Sequence, residues 1–186
     1  MKSFFFIIAV FILFGCGGKK VKPSVNTSLQ AGKLPVQESW DDTVVFSDSG
    51  KTRAVLYAGN IKMYNNPPET LLDSSIKINF YNTKGEKTSV LTALRGRVDD
   101  ATKNLYAIDS VVAVSDSGVT LKTQELMWRN KDQKIVSDKF VTIISPKEKI
   151  QGYGFESDQS LINYTIYNIT YITRTDTSKQ KRSGNN

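Results

Sequence analysis

The chain has 186 residues, a formal net charge of +7, one cysteine and no histidine. That length suits one domain with a sizeable core. The missing histidines exclude a Ser-His-Asp triad, a Cys-His pair and a histidine-ligated metal, and a lone cysteine forms neither an internal disulfide nor a cysteine-rich zinc site.

In chain order, Met1 and Lys2 precede an unbroken apolar run from Phe4 to Phe14, and Gly15 then stands before the single cysteine, Cys16. Residues 1–15 have the layout of a signal peptide. As a helix the apolar run reaches only about 17 Å, short of a hydrocarbon core of about 30 Å. Leu13-Phe14-Gly15-Cys16 resembles the lipobox of bacterial lipoproteins, which implies that Cys16 becomes the lipidated first residue of the mature chain. More than one acyl chain on that residue gives stable membrane attachment.

Residues 16–40 are expected to be a flexible tether, with Lys19, Lys20, Lys22 and Lys33 against Glu38. Residues 174–186 are expected to be a disordered basic tail, with Arg174, Lys179, Lys181 and Arg182 against Asp176. Between them, residues 41–173 carry 16 basic and 16 acidic side chains. The positive charge therefore sits at the two ends, and a neutral body does not have the footprint of a nucleic-acid binder.

The body reads as strands throughout. Apolar residues alternate or cluster in short β-branched and aromatic runs over 43–47, 53–58, 61–64, 76–82, 88–97, 104–108, 110–115, 119–129, 134–137, 140–144, 149–153 and 160–172. Turn chemistry separates them, as in Asp48-Ser49-Gly50, Asn65-Asn66-Pro67-Pro68, Thr83-Lys84-Gly85, Asp116-Ser117-Gly118 and Ser145-Pro146-Lys147. Such a series predicts an all-β sandwich, barrel or jelly roll.

No catalytic or metal-ligating residue stands out, and no cofactor is implied. The carboxylates of Asp99, Asp100, Glu125, Glu156 and Asp158 lie beside turns or on polar strand faces, and adjacent Asp99 and Asp100 point to opposite faces if extended. The loops at Asp48 and Asp116 lack the ligand spacing of a calcium loop.

A resemblance gives these strands a purpose. Leu91-Thr92-Ala93 with Gly96, Asn104-Leu105-Tyr106-Ala107, Gly118-Val119-Thr120-Leu121-Lys122-Thr123, Glu125-Leu126-Met127-Trp128 and Gly152-Tyr153-Gly154-Phe155 occur in an order that resembles the LptC family. The likeness covers about residues 40–165, and it implies a twisted, open β-jelly roll whose two sheets form a V. It further implies a non-enzymatic role in lipopolysaccharide export at the periplasmic face of the inner membrane. The lipid A acyl chains would lie in the groove, the lipid would come from an inner-membrane ABC transporter, and a periplasmic bridge protein would receive it by edge-to-edge sheet stacking. A lipidated cysteine in place of a transmembrane helix is where this chain departs from better-known members. Alternation then nominates Leu56, Met63, Ile78, Phe80, Leu105, Val112, Val114, Leu121, Leu126, Trp128, Val141, Ile143 and Phe155 as groove lining. The competing expectation is a structural or adhesive β-sandwich lipoprotein of the outer membrane with a closed core.

Overall fold

A computed structural model describes residues 34–174. The expected signal peptide, Cys16, most of the tether and the tail beyond Arg174 lie outside the described residues.

Ten strands form one antiparallel sheet. They are β1 (Gln37–Asp48), β2 (Lys51–Asn65), β3 (Pro68–Tyr81), β4 (Lys87–Ala93), β5 (Arg95–Asp99), β6 (Leu105–Ser115), β7 (Thr120–Arg129), β8 (Lys134–Ile144), β9 (Glu148–Ser157) and β10 (Tyr164–Arg174). Their order is β1-β2-β3-β4-β6-β7-β8-β9-β10, with β5 between β3 and β6 beside β4. Sequence neighbours pair almost throughout, so short Gly-, Asp- and Ser-containing turns suffice to connect them. The first strand begins at Gln37, four residues before the expected domain start at 41.

What converts this meander into a two-layered body is a line of irregularities at mid-strand. The β2–β3 register slips between Ala58 and Asn60, β6–β7 between Ile108 and Val111, β7–β8 between Thr123 and Met127, and β8–β9 between Ser137 and Phe140. Leu94 separates β4 from β5 at the same level. Ser74, Ser75, Asp109, Ser110 and Gly154 take positive φ values along this line. Bulges bend strands and raise their twist, so bulges aligned across neighbouring strands fold the sheet along a crease. Backbone groups released there find side chains: Ser137 Oγ donates to Glu125 O at 2.6 Å and Thr123 Oγ1 to Phe140 O at 3.0 Å.

The crease divides the sheet into two leaves. Leaf I holds 42–48, 51–58, 76–81, 87–93, 111–115, 120–123, 141–144, 148–153 and 168–174; leaf II holds 60–65, 68–73, 95–99, 105–108, 126–129, 134–137, 155–157 and 164–166. Their apolar faces meet. Leu56, Ile78, Leu91, Ala113, Leu121 and Ile143 from leaf I and Leu72, Ala107, Leu126, Ile135 and Phe155 from leaf II belong to one buried cluster. The all-β, jelly-roll-like expectation therefore holds.

The expected dozen short strands differ from the observed ten for a physical reason. Gly59, Asp109 and the Asp138-Lys139 pair interrupt the alternation, but they are bends within long strands. β3 also starts at Pro68, eight residues before the expected start at 76, because the crease at Ser74-Ser75 interrupts its alternation. Conversely, 160–163 is a loop rather than the start of the last strand. The Asp158 carboxylate accepts from Ser160 N at 2.9 Å and from Asn163 Nδ2 at 2.9 Å, which curls this segment back on itself.

Candidate functional site

The space between the leaves is the feature on which the strands converge. Leu56, Ile78, Phe80, Leu121, Val141 and Ile143 face it from leaf I, and Leu105, Leu126, Trp128 and Phe155 from leaf II, all buried. Met63 follows Ile61 in the same inward row of β2 but is only half-buried. Val112 and Val114 are placed on the opposite face: Leu105, Ala107, Val111, Ala113 and Ser115 are the buried residues of β6, and Val114 is 43% exposed. The Asp109-Ser110 bend inserts two residues and so preserves the alternation: the period of two that starts at Leu105 runs on through Val111 and Ala113 to Ser115, and Val112 and Val114 are out of phase with it. Ile61, Leu72, Ile76, Leu91, Ala113 and Ile135 join the interior without having been nominated.

Away from the crease the two leaves touch at a rim, where polar groups accompany the apolar contact. Phe46 on β1 and Phe80 on β3 both reach Trp128 of leaf II, with centroids 5.4 and 6.0 Å apart. Gln133 Nε2, in the β7–β8 turn, donates to the Asp48 carboxylate at 3.4 Å. Between these elements lies the β9–β10 loop, whose Leu161 is fully buried. Ser89 Oγ donates to Gln159 O at 2.5 Å. With its amide turned to suit its neighbours, Gln159 donates to Tyr81 O at 3.0 Å and accepts from Trp128 Nε1 at 2.9 Å. No sequence pattern marks Gln159 or Leu161, because their positions depend on the curled loop.

Electrostatics at this loop favour its ordered form. Burial alone raises the Asp158 pKa, but hydrogen bonds from Ser160, Asn163 and the Ile162 backbone outweigh it and hold the carboxyl below its usual range. At the far side of leaf II, Lys134 and Arg129 bracket Glu156, whose pKa is lowered chiefly by the hydrogen bond from Lys134. Arg129 also grips Asp132.

The other candidate carboxylates have local duties. Asp99 accepts from the Ala101 and Thr102 backbone N–H groups at 2.9 and 3.0 Å, and Asp100 accepts from Thr70 Oγ1 at 3.3 Å. Among the described residues no cluster of three or more acidic, His or Cys side chains is arranged to hold a metal. A hollow of about 420 Å³ on the outward face of leaf II is lined by Tyr106, Met127, Val136 and Tyr167 together with Glu125 and Arg129. Most of these side chains point away from the buried row, although Phe155 of that row also borders the hollow.

Two edges complete the site. β1 covers the edge of β2 while burying little of its own surface; Trp40 and Val45 are exposed on it. β10 ends the meander, and its Ile169 and Ile172 pair with Gly152 and Ile150 in the inward row yet are about half exposed, Ile169 at 51%. The apolar interior thus runs out to an uncovered margin at β10.

A creased antiparallel sheet with a continuous apolar interior and unpaired outer strands defines a β-jelly-roll-like domain built around the space between its layers. The chain matches the family model described as "LptC: Lipopolysaccharide-assembly, LptC-related" over residues 8–173, and it belongs to that family. Membership assigns it to lipopolysaccharide transport, as a periplasmic, inner-membrane-associated component working with the Lpt transport machinery. A comparison with curated proteins returned no match.

Proposed function

We propose that the protein carries lipopolysaccharide without catalysing a reaction, holding the acyl chains between leaf I and leaf II while the sugars stay outside. The supporting observation is the unbroken inward row from Leu56 through Ile78, Leu91, Ala113, Leu121 and Ile143 to Ile150, continued on β10 by half-exposed Ile169 and Ile172. Acyl chains crossing water cost about 0.8 kcal/mol per exposed CH₂, so an apolar passage lowers the barrier to transfer.

In the closed form the leaves are packed together. Loading therefore parts them at the rim, where Gln133 meets Asp48 and Gln159 meets Trp128, and leaves the covalent crease intact. The unpaired margins of β1 and β10 suit partners that add a strand, the transporter on one side and a periplasmic bridge protein on the other. Cys16 supplies a lipid anchor, the residues before Gln37 a tether and those after Arg174 a basic tail. The energy comes from ATP hydrolysis by the transporter.

A photo-crosslinking amino acid tests this reading. Placed at Leu126 in the inward row, it captures lipopolysaccharide in cells, whereas at outward-facing Val114 it does not. Equal capture at the two positions, or capture at Val114 alone, overturns the trough. Depletion of the protein should also cause lipopolysaccharide to accumulate at the inner membrane.

A further inference from the structure

Arg53 is an anomaly at the rim. The residue is only 8% exposed, and its Nε is the buried side-chain polar atom without a hydrogen-bond partner among the described residues. A guanidinium does not give up its proton, so a buried one needs compensating charge and acceptors. Its one carboxylate neighbour is Asp48, 3.6 Å from a terminal nitrogen, and Asp48 is more than half exposed and shared with Gln133. That separation is long for a charge-assisted hydrogen bond, which is normally about 2.7–2.9 Å. Arg53 is thus a buried cation whose fork is only loosely engaged.

Its place gives the anomaly a use. Arg53 is the residue that bulges β2 between Ala54, which pairs with Phe46 and Phe80, and Thr52, which pairs with Ser47. Those two rings are the ones that meet Trp128 where the leaves close. The cation therefore stands at the end of the inward row, beyond the last apolar residue, where the polar part of an acylated ligand emerges. The same hairpin ends bear Lys51 and Lys84, which with Thr52 and Thr83 line a hollow of about 680 Å³ that has no carboxylate among its lining residues. Arg53 is not part of that lining, which includes outward-facing Val55, so the two lysines add only positive charge at the same end of the sheet; the preference for a phosphate over a neutral sugar comes from the guanidinium edge, which takes two phosphate oxygens at once.

We propose that Arg53 is the anion anchor of the trough, binding a phosphate monoester on the headgroup of the carried lipid through Nε and a terminal nitrogen as the Asp48 carboxylate is released to solvent. This assignment rests on the proposal that acyl chains lie between the leaves.

The test measures binding of the full chain to lipid A and to the same lipid A stripped of its phosphates. The intact chain is expected to prefer the phosphorylated form by about tenfold or more, and Arg53→Gln to bring that ratio close to one. Arg53→Lys, which keeps the charge but loses the fork, should fall between. Asp48→Asn removes the competing carboxylate and should increase the preference several-fold, so the idea stays testable if Arg53→Gln does not fold. A ratio unchanged in Arg53→Gln, or lowered in Asp48→Asn, overturns the anchor while leaving the trough standing. Binding of neither lipid by the intact chain removes the trough and the anchor together. Inorganic phosphate is the third probe: stabilisation of the intact chain by phosphate alone, equal to that by phosphorylated lipid A, reassigns Arg53 to free phosphate and overturns its headgroup role.

Discussion

Phe46 meets the indole of Trp128 edge-on, their planes 77° apart, although the two residues stand on opposite leaves of the folded sheet. This contact and the Phe80–Trp128 contact make Trp128 the apolar clasp of the rim. Trp128→Ala should lower stability by about 3–5 kcal/mol, as expected for emptying a large buried site. Phe46→Ala should cost less, with about 1 kcal/mol attributable to the aromatic pairing. Urea denaturation of both variants checks the order.

The β6 alternation gives a paired prediction. Ala113→Glu places a carboxylate in the sealed interior and should destabilise the fold by several kcal/mol. Val114→Glu, one residue on, points outward and should stay within about 0.5 kcal/mol of the parent. Thermal melts decide between them, and a severe loss in Val114→Glu would contradict the observed phase. Ile78→Asp belongs with Ala113→Glu, because Ile78 is fully enclosed.

The β9–β10 loop should loosen in acid. A carboxylate whose pKa falls on folding favours the folded form wherever it is ionised; this contribution is full above the unfolded value of about 3.9 and is lost as the pH falls through the lower folded value. For Asp158 the loss therefore comes below about pH 4. Trp128 fluorescence in a Trp40→Phe background reports it, since Gln159 contacts the Trp128 indole. Asp158→Asn should remove that part of the acid response.

Gly152 should be intolerant of any side chain. A Cβ there would sit 2.3 Å from Asn168 O and 2.8 Å from Ile166 Cγ2, so Gly152→Ala must push β10 away from β9. The expected result is faster amide exchange from Tyr164 to Arg174 with β2 and β3 little changed. Gly50→Ala, where a Cβ meets nothing within 4 Å, serves as the comparison: it carries only the strain of its φ of +75°.

Much of this architecture is legible in the residues, because alternation and turn chemistry are local. Leu56, Ile78, Leu121 and Ile143 announce an inward row by their spacing alone. The bends are harder: Asp109-Ser110 and Gly59 look like strand ends, and only the pairing of neighbouring strands shows that the same strand continues beyond them in a shifted register. The error at Val112 and Val114 has a related origin: taking 110–115 as a separate strand loses the odd-numbered phase that runs unbroken from Leu105 through the bend to Ser115. Arg53 and Gln159 were invisible for a different reason. Their significance depends on leaf II arriving opposite them, and Arg53 and Asp48 read in isolation are an ordinary basic and acidic residue near a turn.

The line of bends also constrains what can extend the sheet. A strand added along β10 or β1 encounters a ladder whose direction changes partway along, near Tyr167, opposite Gly154 of β9, on one margin and near Asp41 on the other. A straight strand can follow only one side of that change, whereas a strand with its own bend can follow both, provided the two bends coincide. Any bent partner is thereby held to a single alignment, and a slip of one residue would bring its bend against straight backbone. The folded sheet thus carries at its margins a built-in ruler that sets how the next protein must line up.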